Sequence, residues 1–166
     1  MRIRRVLPAE GHAQLVKRAS KWLSGMGHRV ILPEFSTWST SHEVPDVIGW
    51  RVRHRGAHST LVEVKVSRAD FLADRKKPHR ADSVLGMGRY RYYFCPPGLV
   101  RVEELPARWG LAEVSGRSVA IVHQATAFPE YARQHEIALL VQAIRRERDP
   151  SWGSKLYVET PCEPGE

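Results

Sequence analysis

The run from Thr60 to Val66, Thr-Leu-Val-Glu-Val-Lys-Val, constrains the fold more than any other stretch of the chain. Its β-branched residues and strict alternation suit a strand. Side chains then divide by face, with Leu61, Glu63 and Lys65 on one side and Val62, Val64 and Val66 on the other. The valine face must be covered by other apolar groups. The opposite face carries two opposite charges in an otherwise apolar setting, which an exposed edge strand would explain only if its surroundings were polar. A second β-prone run, Asp46 to Arg53, precedes it, and the intervening His54 to Ser59 gives a hairpin pattern with a slightly long turn.

Around this hairpin the chain alternates helices and strands. Leu15, Val16, Ala19, Trp22 and Leu23 recur at helical spacing, so Glu10 to Leu23 reads as an amphipathic helix stopped by Gly25 and Gly27. Arg29 to Leu32 reads as a short strand ended by Pro33, and the Ser- and Thr-rich stretch from Phe35 to Val44 as a loop. Ser67, with Asp70 three residues on, approximates a capping box that opens a basic helix, which Pro78 breaks or kinks. Gly86-Met87-Gly88 reads as a flexible link before an aromatic strand, Arg89 to Cys95. Leu111 to Val114 and Ser118 to Val122 form a closing hairpin. Pro129 then opens a long helix whose apolar stripe is Ile137, Leu140, Val141 and Ile144. The expected class is α/β, a central mixed β-sheet flanked by helices, as a single domain over 1–150 with a tail over 151–166.

With 166 residues the chain is long enough for one core and too short for two of ordinary size. No apolar run is long enough to span a bilayer, and the basic N-terminus lacks a signal-peptide core, which excludes a membrane partner and predicts a cytoplasmic location. Cys95 and Cys162 are far apart and lack zinc-ligand context, so both are read as thiols. A formal net charge of +8 favours a polyanionic partner.

The candidate chemistry lies on the hairpin. Asp46 at the start of one strand and Glu63 and Lys65 on its partner can converge on one point. Two carboxylates suit Mg²⁺ or Mn²⁺, hard ions that retain waters and also bind phosphate. Such an ion polarises a phosphoryl group and activates water, while a neighbouring lysine orients or helps deprotonate that water and adds positive charge. Taken alone, Asp46 is an ordinary strand-start residue. Arg68, Arg75, Lys76, Lys77 and Arg80 follow directly and offer contacts to DNA phosphates, although a solvated helix face would have the same composition. His54 and His58 are read as loop histidines. Trp22, Trp50, Tyr92, Tyr93 and Phe94 are read mostly as packing residues, and Trp38 as an aromatic near the cleft. Asp70 is read as a helix-start residue, and Asp74 as pairing locally or facing solvent.

Pro45-Asp46 followed by Glu63-Val64-Lys65 at the end of a hairpin resembles the signature of the PD-(D/E)XK nuclease superfamily. The longer run from Val62 to Lys76, with Tyr92 to Pro97 downstream, resembles the MmcB-like family associated with bacterial DNA repair and its phage-encoded relatives. The likeness extends over roughly residues 10 to 145, following the order of elements above. It implies a restriction-endonuclease-like core and a metal-dependent nuclease that hydrolyses DNA phosphodiester bonds in repair, recombination or phage DNA processing. Asp46, Glu63 and the backbone carbonyl of Val64 would be metal ligands and Lys65 the catalytic lysine. The superfamily often adds a glutamate from its first helix. Glu10 and Glu34 are the alternatives for that ligand, and His12 or Gln14 are residues that would face the site instead. A homodimer and a repair or phage protein partner are compatible with the resemblance, as is a catalytically weak or inactive DNA-binding module of the same fold.

Overall fold

The computed structural model describes residues 11–35, 43–54 and 56–149. Within them, α1 (His12–Gly25) leads into β1 (Val30–Pro33), followed by β2 (Val47–Arg53) and β3 (Gly56–Val64). Two short helices, α2 (Arg68–Asp74) and α3 (Pro78–Ala81), precede β4 (Tyr90–Cys95). The hairpin of β5 (Gly110–Ser115) and β6 (Ser118–His123) leads to α4 (Arg133–Arg148). The six strands form one sheet in sequence order. β1, β2 and β3 pair antiparallel, β3 with β4 and β4 with β5 pair parallel, and β6 returns antiparallel. This is the α/β architecture with a mixed sheet flanked by helices.

The β2–β3 turn is tighter than its sequence suggests. Arg53 pairs with Gly56, so β3 begins four residues before the expected start at Thr60 and only two positions separate the strands. Gly56 has φ +109°, a conformation that an L side chain rarely adopts, and this permits the close reversal. Gly116, at φ +54°, does the same in the β5–β6 turn. His58, read from sequence as a loop residue, accordingly belongs to β3, where its ring meets Tyr90 edge-on.

Each face of the sheet has its own core. On one, α1 buries Leu15, Val16, Ala19 and Leu23 against Val47, Val62, Val64, Tyr92 and Phe94. On the other, Ile48, Trp50, Leu61, Tyr93 and Leu111 pack with Phe71 of α2, Leu139 of α4, Met87 and Trp109. The packing assignment of Trp50, Tyr92, Tyr93 and Phe94 therefore holds, with Trp22 partly buried against Tyr92 and Phe94. Trp38 lies outside the described residues, as do most of the expected 35–44 loop, Glu10, Cys162 and the tail.

Three expectations are corrected, one just before β4 and two at α4. The Gly86-Met87-Gly88 segment is anchored: Met87 is buried, Ala132 N donates to Gly86 O at 2.9 Å, and Gly88 N donates to Glu136 at 2.7 Å. The long helix starts at Arg133 instead of Pro129, because Phe128 N and Ala132 N donate back to Arg89 O and Gly86 O and hold this stretch along the sheet. α4 is also turned relative to the expected stripe. Glu136 and Leu139 are buried, while Ile137, Val141 and Ile144 are exposed. The cause is polar: Glu136 accepts from Trp50 Nε1 at 3.1 Å, Ser59 Oγ at 2.9 Å and Gly88 N, and these bonds set the rotation of the helix.

Candidate active site

Extending the β2–β3 register by one residue sets Asp46 opposite Glu63. Asp46 Oδ2 accepts a hydrogen bond from Val64 N at 2.7 Å, which fixes the carboxylate across the strand ends. Its other oxygen, Oδ1, lies 3.2 Å from His12 Nε2 in the first turn of α1, and His12 Nδ1 lies 3.6 Å from Glu34. Glu34 stands beside Asp46, its amide donating to Asp46 O at 2.8 Å, with a left-handed φ of +44° that is uncommon for a non-glycine residue. Asp46, His12 and Glu34 form the open side of the site. Of the alternatives for a further ligand, Glu34 and His12 face Asp46, and Glu10 is outside the described residues.

The inner side is closed and charged. Glu63 is only 3% exposed, and its two oxygens lie 2.9 Å from Arg80 Nη2 and 3.3 Å from Lys65 Nζ. Lys65, also buried, reaches Asp74 Oδ1 at 3.4 Å, so alternation has placed Glu63 and Lys65 together as expected. Lys65 N donates to Phe94 O at 3.0 Å, which continues the strand pairing past the end of β3.

Arg80 overturns its expected role as a phosphate contact. It is buried, donates to both oxygens of Asp74 at 2.8 and 3.1 Å and to Glu43 at 2.8 Å, and lies over the Trp109 ring at 5.0 Å. Three carboxylates surround one guanidinium because none of them reaches enough water to remain charged alone. Asp74 pairs locally as read, with Lys77 at 2.9 Å, but it does not face solvent: it is buried within this cluster and also accepts from Tyr93 Oη at 2.9 Å. Glu43 also accepts from Met87 N at 2.7 Å. Sequence spacing carries no sign that Glu43 and Glu63 join Asp74 and Arg80, since these two glutamates come from distant segments.

The remaining basic candidates, Arg68, Arg75, Lys76 and Lys77, are all exposed, with Arg68 forking onto Glu104 and Lys77 pairing with Asp74. Ser67 behaves as read, accepting from Asp70 N at 3.2 Å to cap α2, and Asp70 lies in its first turn.

Burial pushes Glu63 up to about 7, against the pull of Arg80 and with a further push from Asp46. Burial alone would raise Asp74 and lower Arg80. The charges and hydrogen bonds between them prevail, so Asp74 lies below the ordinary carboxylate range and Arg80 above its ordinary value. Lys65 follows the same pattern: desolvation lowers it, but Glu63, Asp74 and Asp46 outweigh that and hold it above its ordinary value. Lys65 is therefore an ammonium, suited to stabilising negative charge and not to accepting a proton.

Asp46 and Glu63 are hard oxygen donors whose mutual repulsion a cation would relieve. They fit an ion that binds through one or two carboxylates and keeps its waters, as Mg²⁺ does. They do not fit an all-protein cage, since among the described residues no three His, Cys, Asp or Glu side chains form a metal-binding group.

No protein-family model matches the chain, and no curated protein matches it in sequence. A solved structure, the SPO1766 protein of unknown function from Silicibacter pomeroyi, superposes with a TM-score of 0.59 at 22% identity, covering 88% of this chain and 97% of that one. The two chains share a fold. Among the described residues no helix is long and apolar enough to cross a membrane.

Proposed function

We propose that this chain is a metal-dependent deoxyribonuclease of the PD-(D/E)XK type, similar to the MmcB-like family, with Asp46, Glu63 and Lys65 at its centre. One observation carries the reading: the adjoining ends of β2 and β3 bring a partly open carboxylate, Asp46, to a buried Glu63–Lys65 pair backed by Arg80 and Asp74. Burying such a pair costs desolvation energy that apolar residues would avoid, so its presence calls for a purpose other than stability. Mg²⁺ or Mn²⁺ held by Asp46 and Glu63 would lower the pKa of a bound water and offset charge on the phosphoryl oxygens.

The chain's own residues supply the rest. Val64 N holds the Asp46 carboxylate in place, with the Val64 carbonyl the further ligand that the resemblance suggests. Lys65, kept positive by its three carboxylate neighbours, offers an N–H donor to charge developing on phosphate oxygen. Arg80 and Asp74 hold Glu63 and Lys65 in register. The excess of basic residues, with Arg75 and Lys76 exposed near the site, suits DNA as substrate. Repair, recombination or phage DNA processing in the cytoplasm is the setting this reading fits, alone, as a homodimer or with a protein partner.

A second reading, a DNA-binding module of nuclease fold with weak or absent catalysis, draws on a specific contact. Arg80 and Lys65 already engage both oxygens of Glu63, so a metal ion has to compete with resident cations. A panel of linear, nicked, branched and single-stranded DNA, incubated with Mg²⁺, Mn²⁺ or chelator, separates the two. Metal-dependent cleavage that Lys65→Ala and Glu63→Ala abolish supports the nuclease, whereas salt-sensitive binding without cleavage of any substrate supports the module.

A further inference from the structure

A pocket of about 410 Å³ opens beside the Arg80 cluster, between the end of α2 and the segments 106–108 and 128–129. Its size falls within the range of small-ligand sites, about 300–1,000 Å³. The side chains lining it are basic or apolar, and no carboxylate is among them. Arg75 and Arg108, both exposed, supply charge at the rim, while Phe128, Pro106 and Pro129 supply apolar wall. Arg80 forms part of the lining, so one side chain separates the pocket from Glu63.

Arg108 is the informative residue. Its φ is +70°, a backbone conformation that favours glycine. Three hydrogen bonds hold it there: Trp109 N donates to Pro106 O at 3.1 Å, Thr126 N to Arg108 O at 3.0 Å, and Arg108 Nη1 to Ala127 O at 2.8 Å. A long cationic side chain at a position suited to glycine costs strain, and strained residues kept in place by their surroundings cluster at binding sites. The last of these bonds uses one of five guanidinium donors and ties the group to the segment that carries Phe128 into the pocket wall. Phe128 carries the buried Arg91 guanidinium 4.1 Å from its ring centre, which fixes the ring as a rigid wall.

We propose that this pocket binds a nucleoside 5′-phosphate, with Arg75 and Arg108 on the phosphate and the Phe128–proline wall against the sugar and base. Two guanidinium forks match the oxygens of a phosphate monoester, which carries more charge than an internal diester and is preferred by them. The ligand is therefore the 5′-phosphorylated end of a DNA strand, or a free nucleotide of the same chemistry. The inference rests on the nuclease reading for its biological meaning, since it gives that site a strand end as substrate. The binding itself requires neither metal nor cleavage.

The test is equilibrium binding in the presence of chelator, using fluorescent oligodeoxythymidylate with a 5′-phosphate, its 5′-hydroxyl twin, and thymidine 5′-monophosphate and inorganic phosphate as competitors. The wild type is expected to prefer the phosphorylated strand by about tenfold. Arg75→Gln and Arg108→Gly should each reduce that preference and together remove it, while Lys21→Gln, in a separate basic pocket beside Trp22, should leave it unchanged. Arg108→Gly keeps the left-handed backbone, and unchanged thermal unfolding verifies that the fold survives. Competition by thymidine 5′-monophosphate as efficient as by the phosphorylated strand assigns the pocket to free nucleotide, and weaker competition assigns it to strand ends. Equal affinity for the two twins, or a preference that persists in the double variant, overturns the proposal. Either failure would leave metal-dependent cleavage of the DNA panel intact, whereas loss of cleavage with the preference retained would overturn the nuclease reading alone.

Discussion

The two faces of the sheet are built from the same strands and hold themselves together differently. The face under α1 is sealed by aliphatic and aromatic side chains, with His28 and Thr60 as a buried polar pair 2.9 Å apart. The opposite face buries Glu43, Glu63, Lys65, Asp74, Arg80, Arg91 and Glu136 among its apolar residues. α1 shows that a strand such as β3 can be stabilised by apolar cover alone. The charges on the other side are therefore not needed to make a sheet, and their concentration around Glu63 is the costly feature that the proposed nuclease reading accounts for.

The largest effect should come from the centre of the charged face. Arg80→Met leaves Glu43, Glu63 and Asp74 buried without their shared counterion and should cost about 4 kcal/mol in urea unfolding. The loss should grow between pH 5 and 8 as Glu63 gives up its proton. On the apolar face, Leu23→Ala should cost about 3 kcal/mol through cavity formation, by an amount that does not change over the same pH range. If the two variants show the same pH dependence, the contrast between the faces fails.

A smaller effect isolates Glu63. Its pKa rises from the 4.5 of a free glutamate to about 7 on folding, so between these values the folded chain binds a proton that the unfolded chain has lost. Stability from this group is fully present below pH 4.5 and is lost as pH rises through 7. Wild type should consequently lose ground to Glu63→Gln across that window, and the difference between them should be constant below it. A difference that does not vary with pH would mean that Glu63 is charged throughout. The smallest effect is local: Ser67→Ala removes the cap of α2 and should cost about 1 kcal/mol, shifting the unfolding midpoint without altering its pH dependence.

Much of this contrast was legible along the chain, for reasons that differ by element. Alternation placed Glu63 and Lys65 on one face because a strand has a period of two and both residues lie within it. The Ser67 cap and the β5–β6 hairpin are short-range patterns and read correctly. The rotation of α4 was not legible. Periodicity identifies an apolar stripe of Ile137, Leu140, Val141 and Ile144, of which Leu140 packs on the core, but carries no information about Trp50, Ser59 and Gly88, whose bonds to Glu136 turn the helix so that the other three are exposed. The burial of Arg80 and Asp74 was not legible for the same reason, although the local pairing read for Asp74 holds with Lys77. Both lie in a basic helical stretch that looks solvated, and their true partners, Glu43, Glu63 and Tyr93, come from distant segments. The Gly86–Gly88 segment looked flexible because its anchors are a backbone amide and a carboxylate from the far end of the chain.

The most direct test of the account is Mn²⁺ binding to the full chain, followed by calorimetry and by electron paramagnetic resonance, for wild type, Asp46→Asn and Glu63→Gln. Wild type is expected to bind Mn²⁺ between the open Asp46 and the buried Glu63, Mg²⁺ to compete, and each substitution to weaken binding at least about tenfold while leaving the fold intact. Wild type that fails to bind at millimolar Mn²⁺, or variants that bind as well as wild type, would contradict it and leave the charged face as a structural cluster around Arg80.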